Sequence, residues 1–133
     1  MSFNFKSGLG NAASFMVSGK PYMTTFTVNA NSGNVTRITF PSVTKSITLM
    51  NNSETSGEDI RIAFSSDGLT TNGNYFILHA AKDGVSYLVL DVKVTDIYVR
   101  SNGTHTPSVS IFASLTNIPP TEISNNWEGS EGV

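Results

Sequence analysis

Apolar and polar residues alternate with a period of two through most of the chain. In the segment 60–65, Ile60, Ile62 and Phe64 have one parity and the residues between them have the other. Successive side chains of a strand point to opposite faces, so this pattern predicts half-buried β-strands. No window of about 11 residues or more has a convincing helical period, which argues against a fold built on helices.

The strand-like segments are short and are separated by turn signals rich in Gly, Asn, Asp and Pro. Eight or nine such segments follow one another, at 14–17, 22–28, 35–40, 44–50, 58–65, 74–80, 85–90, 92–100 and 107–115. This spacing predicts an all-β fold, a two-sheet antiparallel sandwich of about eight strands. Eight strands in two sheets is the jelly-roll count, so we expect a jelly-roll-like order. An immunoglobulin-like order is the alternative, although the marker cysteines are absent.

Four local patterns give more specific expectations. Ser65–Gly68 predicts an Asx-type hairpin turn, and Asp83-Gly84 predicts a second hairpin turn. Val85–Leu90 is nearly all apolar, which predicts a strand covered on both faces. Residues 92–100 change parity midway, and a β-bulge near Thr95-Asp96 would restore one inward face.

The length of 133 residues predicts one domain with a core of its own. Residues 1–12 are polar and Gly-rich but contain large apolar side chains, and we interpret them as an N-terminal arm. The sandwich should then occupy 13–118. Residues 119–133 begin with a Pro-Pro pair and contain three Glu and no base, so we expect an extended C-terminal tail.

Charge and composition reduce the number of possible partners. Eight Lys and Arg stand against ten Asp and Glu, and the basic residues are scattered along the chain. A nucleic-acid binder normally carries a basic cluster, so we expect no nucleic-acid partner. We also expect no signal peptide, because no apolar segment follows a basic start, and no membrane partner, because no long apolar run is present. The absence of Cys favours assembly in a reducing compartment.

The residues that usually carry chemistry form no convincing constellation. His79 and His105 have no second ligand-type residue at metal-binding spacing. Glu58 and Asp59 are adjacent on a strand and therefore face opposite sides, and Asp91 and Asp96 also differ in parity. We therefore expect no catalytic residue, no metal, no cofactor and no small-molecule substrate, and we expect that the protein is not an enzyme.

Aromatic residues are the remaining candidates for a functional surface. The four tyrosines, Tyr22, Tyr75, Tyr87 and Tyr98, lie in strand segments. They could stack on carbohydrate if they shared one exposed face, but burial in or near the core is the simpler expectation. Large apolar groups in the two arms are candidate anchors on a neighbouring chain. These candidate partner-binding residues are Phe3, Phe5, Leu9 and Trp127. The alternative is that the arms fold back onto their own domain.

Several segments resemble, in texture and order, small β-sandwich virion proteins of tailed bacteriophages, nearest to capsid decoration (cement) proteins or related head- and tail-associated proteins. The resemblance spans about residues 14–118 and involves no strict motif. The segments are 18–22, 38–49, 60–64, 74–78 and 90–94.

The resemblance implies a non-enzymatic role on the capsid surface of a virion. The chain would be made in the host cytoplasm, would bind and bridge major capsid subunits or another virion protein, and would stabilise the head. It would form a homo-oligomer, a dimer or trimer. The alternative function is a carbohydrate-binding or fibre- or tail-associated β-sandwich module, and a small hydrolase on a β scaffold is a third hypothesis.

Overall fold

The structure is a computed structural model that describes residues 19–28, 35–70, 73–102 and 106–133, without the side chains of residues 124 and 125. Eight strands form two antiparallel sheets of four, which confirms the predicted all-β sandwich. The expected strand at 14–17 lies outside the described residues. The strands are β1 (Lys20–Thr27), β2 (Thr36–Thr39), β3 (Thr44–Asn51), β4 (Ile60–Ala63), β5 (Phe76–Leu78), β6 (Tyr87–Leu90), β7 (Asp96–Ser101) and β8 (Ser108–Leu115).

The strand pairings are nested. Sheet A has the order β1-β8-β3-β6, and sheet B has the order β2-β7-β4-β5. The outermost pair in sequence, β1 with β8, lies in sheet A, and the next pair, β2 with β7, lies in sheet B. The pairs β3 with β6 and β4 with β5 repeat this alternation. The chain therefore folds as one long hairpin whose successive strand pairs belong alternately to the two layers.

The core lies between the sheets and follows the period-two pattern. In β8 the residues Val109, Ile111, Ala113 and Leu115 are buried, whereas those between them are exposed or half-buried. The facing strand β7 contributes Ile97 and Val99 from the other sheet. Alternate residues of every strand thus meet across the gap, as expected for two sheets that each cover one apolar face.

A second apolar cluster closes one end of the sandwich. Val43, Ile118 and Ile123 are buried together. The Thr116 hydroxyl and amide both donate to the Val43 carbonyl, at 2.7 and 2.8 Å, and the Val43 amide donates to the Ile118 carbonyl at 3.0 Å. The chain therefore stays attached to the domain after β8 ends.

The segment 91–95 connects the two sheets, and the predicted bulge at Thr95-Asp96 is wrong. β6 ends at Leu90 in sheet A and β7 starts at Asp96 in sheet B. The Thr44 hydroxyl donates to the Val92 carbonyl and accepts from the Val94 amide, which fixes the crossing backbone. The parity of the core-facing residues changes here because β6 belongs to sheet A and β7 belongs to sheet B, so the two strands turn different sides of the chain toward the core. Among the described strands, β3 contains a β-bulge, between Thr44 and Ser46.

The predicted hairpin at Ser65–Gly68 is also different in the structure. Residues Ser66–Leu69 form a one-turn helix, α1, and the Ser65 hydroxyl caps it by accepting from the Gly68 amide at 2.9 Å. Serine is a preferred N-cap because its hydroxyl satisfies a free amide of the first turn. The turn at Asp83-Gly84 is present, but it joins β5 of sheet B to β6 of sheet A, so it closes no hairpin within one sheet.

Candidate functional site

The outer face of sheet A is apolar and exposed. Five large side chains on it, Met23, Met50, Tyr87, Val89 and Phe112, expose between 41% and 75% of their surface. Single exposed apolar residues are common on soluble proteins, whereas a contiguous group indicates an interaction surface. We call this group the sheet A patch.

The strand register places the sheet A patch in two adjacent rows that cross all four strands. One row is Met23, Phe112, Thr48, Val89, and the next is Thr25, Ser110, Met50, Tyr87. None of these eight residues is charged. A shallow hollow of about 300 Å³ lies among them, lined by both methionines and Phe112. The surface can therefore contact another apolar surface without leaving a charge unpaired.

Strand β6 corrects a further expectation. The apolar segment Val85–Leu90 was predicted to be covered on both faces, but β6 is an edge strand. Leu88 and Leu90 pack on the core, whereas Tyr87 and Val89 are 58% and 56% exposed. The sequence therefore contains an apolar outward face that the described part of the chain leaves uncovered.

The outer face of sheet B has the opposite chemistry. All three arginines of the chain, Arg37, Arg61 and Arg100, lie on it, on three neighbouring strands. Arg61 of β4 stands directly opposite Arg100 of β7, and Arg37 of β2 stands opposite Tyr98. The fold thus gathers basic residues that are far apart in the sequence.

Arg37 is paired with a buried carboxylate. Its Nε donates to Asp96 Oδ1 at 3.0 Å, and the same oxygen accepts from the Thr39 hydroxyl at 2.7 Å. Burial would raise the pKa of Asp96, but the hydrogen bonds from Arg37, Thr39 and Thr95 outweigh it and hold the pKa below its usual value. The Asp96 hydrogen bond and charge raise the pKa of Arg37.

Arg61 is held in place on three sides. Its guanidinium lies 4.4 Å from the centre of the Tyr75 ring, a cation–π arrangement. Its Nε donates to Asn102 Oδ1 at 2.6 Å and its Nη1 donates to the Leu69 carbonyl at 3.3 Å. None of these contacts is with a carboxylate.

Trp127 is the one predicted partner-binding residue that the structure describes; Phe3, Phe5 and Leu9 lie outside the described residues. Its indole N–H donates to the Lys93 carbonyl, and its ring is 39% exposed. It borders an apolar hollow of about 350 Å³ together with Phe64, Val92 and Val133. Trp127 therefore lies against its own sandwich and presents only part of its ring to solvent.

The segment 119–133 packs on the sandwich through Asn126, instead of extending from it. Asn126 Oδ1 accepts from the amides of Thr95 and Asp96 at 2.7 and 3.1 Å, and its Nδ2 donates to the carbonyls of Phe64 and Asp96, both at 2.9 Å. These four bonds use the full capacity of the amide. Asn126 and Trp127 both have positive φ, 52° and 65°, a conformation that such a network must hold in place.

The titratable groups form no obvious catalytic arrangement in the described ranges. His79 Nδ1 lies 3.3 Å from Asp59 Oδ2, and Asp59 Oδ1 accepts a hydrogen bond from the Ala80 amide.

The Asp83 carboxylate accepts hydrogen bonds from the Ser56 hydroxyl and the Gly57 amide. Both bonds lower the pKa of Asp83, and the bond from Ser56 has the larger effect. No group of three or more His, Cys, Asp or Glu that could hold a metal occurs among the described residues. His105 is outside them.

The four tyrosines lie in three different parts of the sandwich. Tyr22 packs against the core and makes an edge contact with Phe40, at 5.4 Å between ring centres. Tyr87 lies on the outer face of sheet A, whereas Tyr75 and Tyr98 lie under arginines on the outer face of sheet B. A continuous row of four exposed rings does not exist.

Sequence reasoning missed the surfaces that the structure assembles. The signal for the sheet A patch was present, because Met23, Val89 and Phe112 all have the outward parity of their strands. The sequence contained no signal for the proximity of Arg61 and Arg100, because only the pairing of β4 with β7 brings them together.

No family model and no curated protein sequence matches the chain. In the part of the chain that the structure describes, no helix has the length and apolar character needed to cross a bilayer.

Proposed function

We propose that the chain is a non-enzymatic structural protein of a phage virion, a capsid decoration or cement protein whose copies associate through the sheet A patch. The observation that carries the adhesive role is the uncharged, exposed apolar face of sheet A. The resemblance of the sequence to small virion β-sandwiches supports the virion setting and the major capsid protein as partner. The nested strand pairs support classification of the sandwich as a jelly roll.

The occupant that we assign to the sheet A patch is the same patch of a second copy. Two copies of this patch can meet about a two-fold axis without bringing like charges together, because none of the eight residues in its two rows is charged. Two copies of the sheet B face would oppose their arginines, which costs free energy. Charge therefore favours sheet A as the self-association surface.

The size of the face sets the strength of this association. Three strands of eight residues, each about 26 Å long, and the four-residue β6, about 13 Å long, lie about 4.8 Å apart and make a face of roughly 440 Å². A stable interface usually buries about 800 Å² on each partner, so this contact belongs to the weak, reversible class. Weak contacts suffice on a capsid lattice, because each copy is attached at several places and the attachments multiply affinity.

Sedimentation of the purified protein over a range of concentrations tests self-association. We expect a monomer–dimer equilibrium that Phe112→Thr and Met23→Thr weaken by about tenfold each, since each removes an apolar anchor worth about 1–3 kcal/mol. Thr106→Ala, at an exposed position away from the two rows, is the control and should leave the equilibrium unchanged. A strict monomer at every concentration would contradict the self-association.

A second experiment tests the virion setting separately. Mass spectrometry of purified particles from the virus that encodes the chain should find it at many copies per particle, and imaging should place it on the head. Its absence from the particles would reject the virion role, whatever the sedimentation result.

A further inference from the structure

We propose that Arg61 and Arg100 form a binding site for a carboxylate group on the outer face of sheet B. This inference is independent of the proposed function, because it concerns the opposite face of the sandwich. It rests on three properties of the pair: its register, an unsatisfied donor on Arg100, and the rigid position of Arg61.

The two arginines are direct cross-strand partners in the pairing of β4 with β7. Side chains at directly opposite positions lie within about 4.5–5.5 Å at Cβ, where like charges are destabilising. The described part of the chain supplies no ion pair to either guanidinium, since its one Arg–carboxylate pair joins Arg37 to Asp96. The folded protein therefore carries two neighbouring cations whose charge an anion would balance.

Arg100 has a donor without an acceptor. Its Nε is buried and makes no hydrogen bond with the described residues. A buried donor left unpaired is costly, typically about 1–3 kcal/mol. Burial, and after it the charge of Arg61, lower the pKa of Arg100. These are the features of a pair that lacks its counter-ion, since an anion bound at the two guanidinium groups would offset the repulsion.

Arg61 is already arranged for binding. The Tyr75 ring, Asn102 and the Leu69 carbonyl fix its guanidinium plane, and its Nη2 has no partner among the described residues. A guanidinium group that is already held in one orientation loses little conformational entropy when it binds an oxyanion. The site therefore combines one rigid guanidinium with one unsatisfied guanidinium.

A carboxylate fits this site better than a nucleic acid does. On the same face, Arg37 binds the Asp96 carboxylate through its Nε at 3.0 Å, so the surface already shows this chemistry. A guanidinium and a carboxylate match as planar, two-pronged partners. Nucleic-acid binding depends on neutralising several phosphates, and the whole chain has only three arginines and a net charge of −2.

The test is an NMR titration of the labelled protein with citrate, which carries carboxylates, with inorganic phosphate and with an oligothymidine as separate arms. We expect citrate to bind in the millimolar range, at about −4 kcal/mol, and to shift the side-chain signals of Arg61 and Arg100. Arg61→Met and Arg100→Met should each weaken binding by about tenfold or more, as expected for loss of a charge-assisted hydrogen bond. Arg37→Met is the matched control on the same face and should change it less than about twofold.

Thermal unfolding without ligand gives a second measurement. Arg100→Met keeps most of the aliphatic stem but removes the unpaired Nε and the facing charge, so Tm should rise by about 2–4 °C. A fall in Tm, no binding of citrate, or equal loss in Arg37→Met would overturn the proposal. Tighter binding of phosphate or oligothymidine than of citrate would overturn the choice of carboxylate.

Discussion

Individual side chains decide how the ends of the elements are joined. Asp96 stands at the first position of β7 and accepts hydrogen bonds from Arg37 and the hydroxyls of Thr39 and Thr95. Its backbone is bound in turn by Asn126. One residue, through its carboxylate and its backbone, therefore links β2, β7 and the C-terminal segment. Sequence reasoning assigned Asp96 no partner, because nothing in the local pattern reveals partners that are 30 or 59 residues away.

The pairing of Asp96 predicts a pH-dependent contribution to stability. Since its pKa is lower in the folded protein than the usual 3.9 or so of the unfolded chain, the contribution is fully present above about pH 4 and is lost as the pH falls through the folded pKa. Asp96→Asn should lower the free energy of unfolding by about 1–3 kcal/mol at pH 7. Urea unfolding at pH 7 and at about pH 3 should show that the difference between the two proteins shrinks in acid.

The control for this prediction is Asp91→Asn, at an exposed position outside the strands. It should change stability by less than about 0.5 kcal/mol at either pH. A loss in Asp96→Asn that stayed constant with pH would show that the cause is packing and not ionisation.

Element identity is the level at which the sequence was most informative. Eight of the predicted strand segments correspond in order to β1–β8, because period-two alternation is a local property that survives folding. The errors fall at the ends of strands. The runs 58–65 and 92–100 were read as continuous, but β4 stops at Ala63 before α1, and β7 starts only at Asp96. Parity alone does not distinguish a bulge from a crossing between layers.

The start of β1 gives a prediction at the same scale. Gly19 lies so close to β8 that a Cβ built on it would overlap the Leu115 backbone. Gly19→Ala must therefore push β1 away from β8 at the first pair, Lys20 with Leu115. We expect a loss of about 2–4 kcal/mol in urea unfolding, together with faster amide exchange at the start of β1.

Gly73→Ala is the matched control for Gly19. Gly73 has a positive φ of 67° but nothing within 4 Å of an added Cβ, so only the backbone conformation opposes alanine there. This cost is about 1 kcal/mol. If both substitutions cost the same, the close approach at Gly19 would have no energetic weight.

The molecule as a whole presents two faces of unlike chemistry and closes one end with its C-terminal segment. Sheet A exposes two uncharged rows with large apolar side chains, and sheet B has all three arginines on its outer face. Ile123 completes the second apolar cluster, and Asn126 satisfies backbone groups of Thr95, Asp96 and Phe64. We therefore expect residues 119–133 to act as a part of the domain.

Deletion of 119–133 tests this expectation. It would expose the cluster of Val43 and Ile118 and leave buried backbone groups without partners, so the free energy of unfolding should fall by about 3–5 kcal/mol. Denaturant unfolding measures the change. Deletion of 129–133 alone, which removes mostly exposed residues, should cost less than about 1 kcal/mol. Unchanged stability after the longer deletion would restore the interpretation of this segment as a free tail.

The sequence by itself determined the class of fold, because alternation, turn residues and the absence of a helical period are local signals that each strand carries alone. It also contained the outward apolar positions of the sheet A patch. Only the tertiary structure decided which strands are neighbours, and therefore that Arg61 faces Arg100 and that Asn126 holds the crossing between the sheets. Strand pairing joins residues that are distant in the chain, and no local pattern specifies which distant residues will meet.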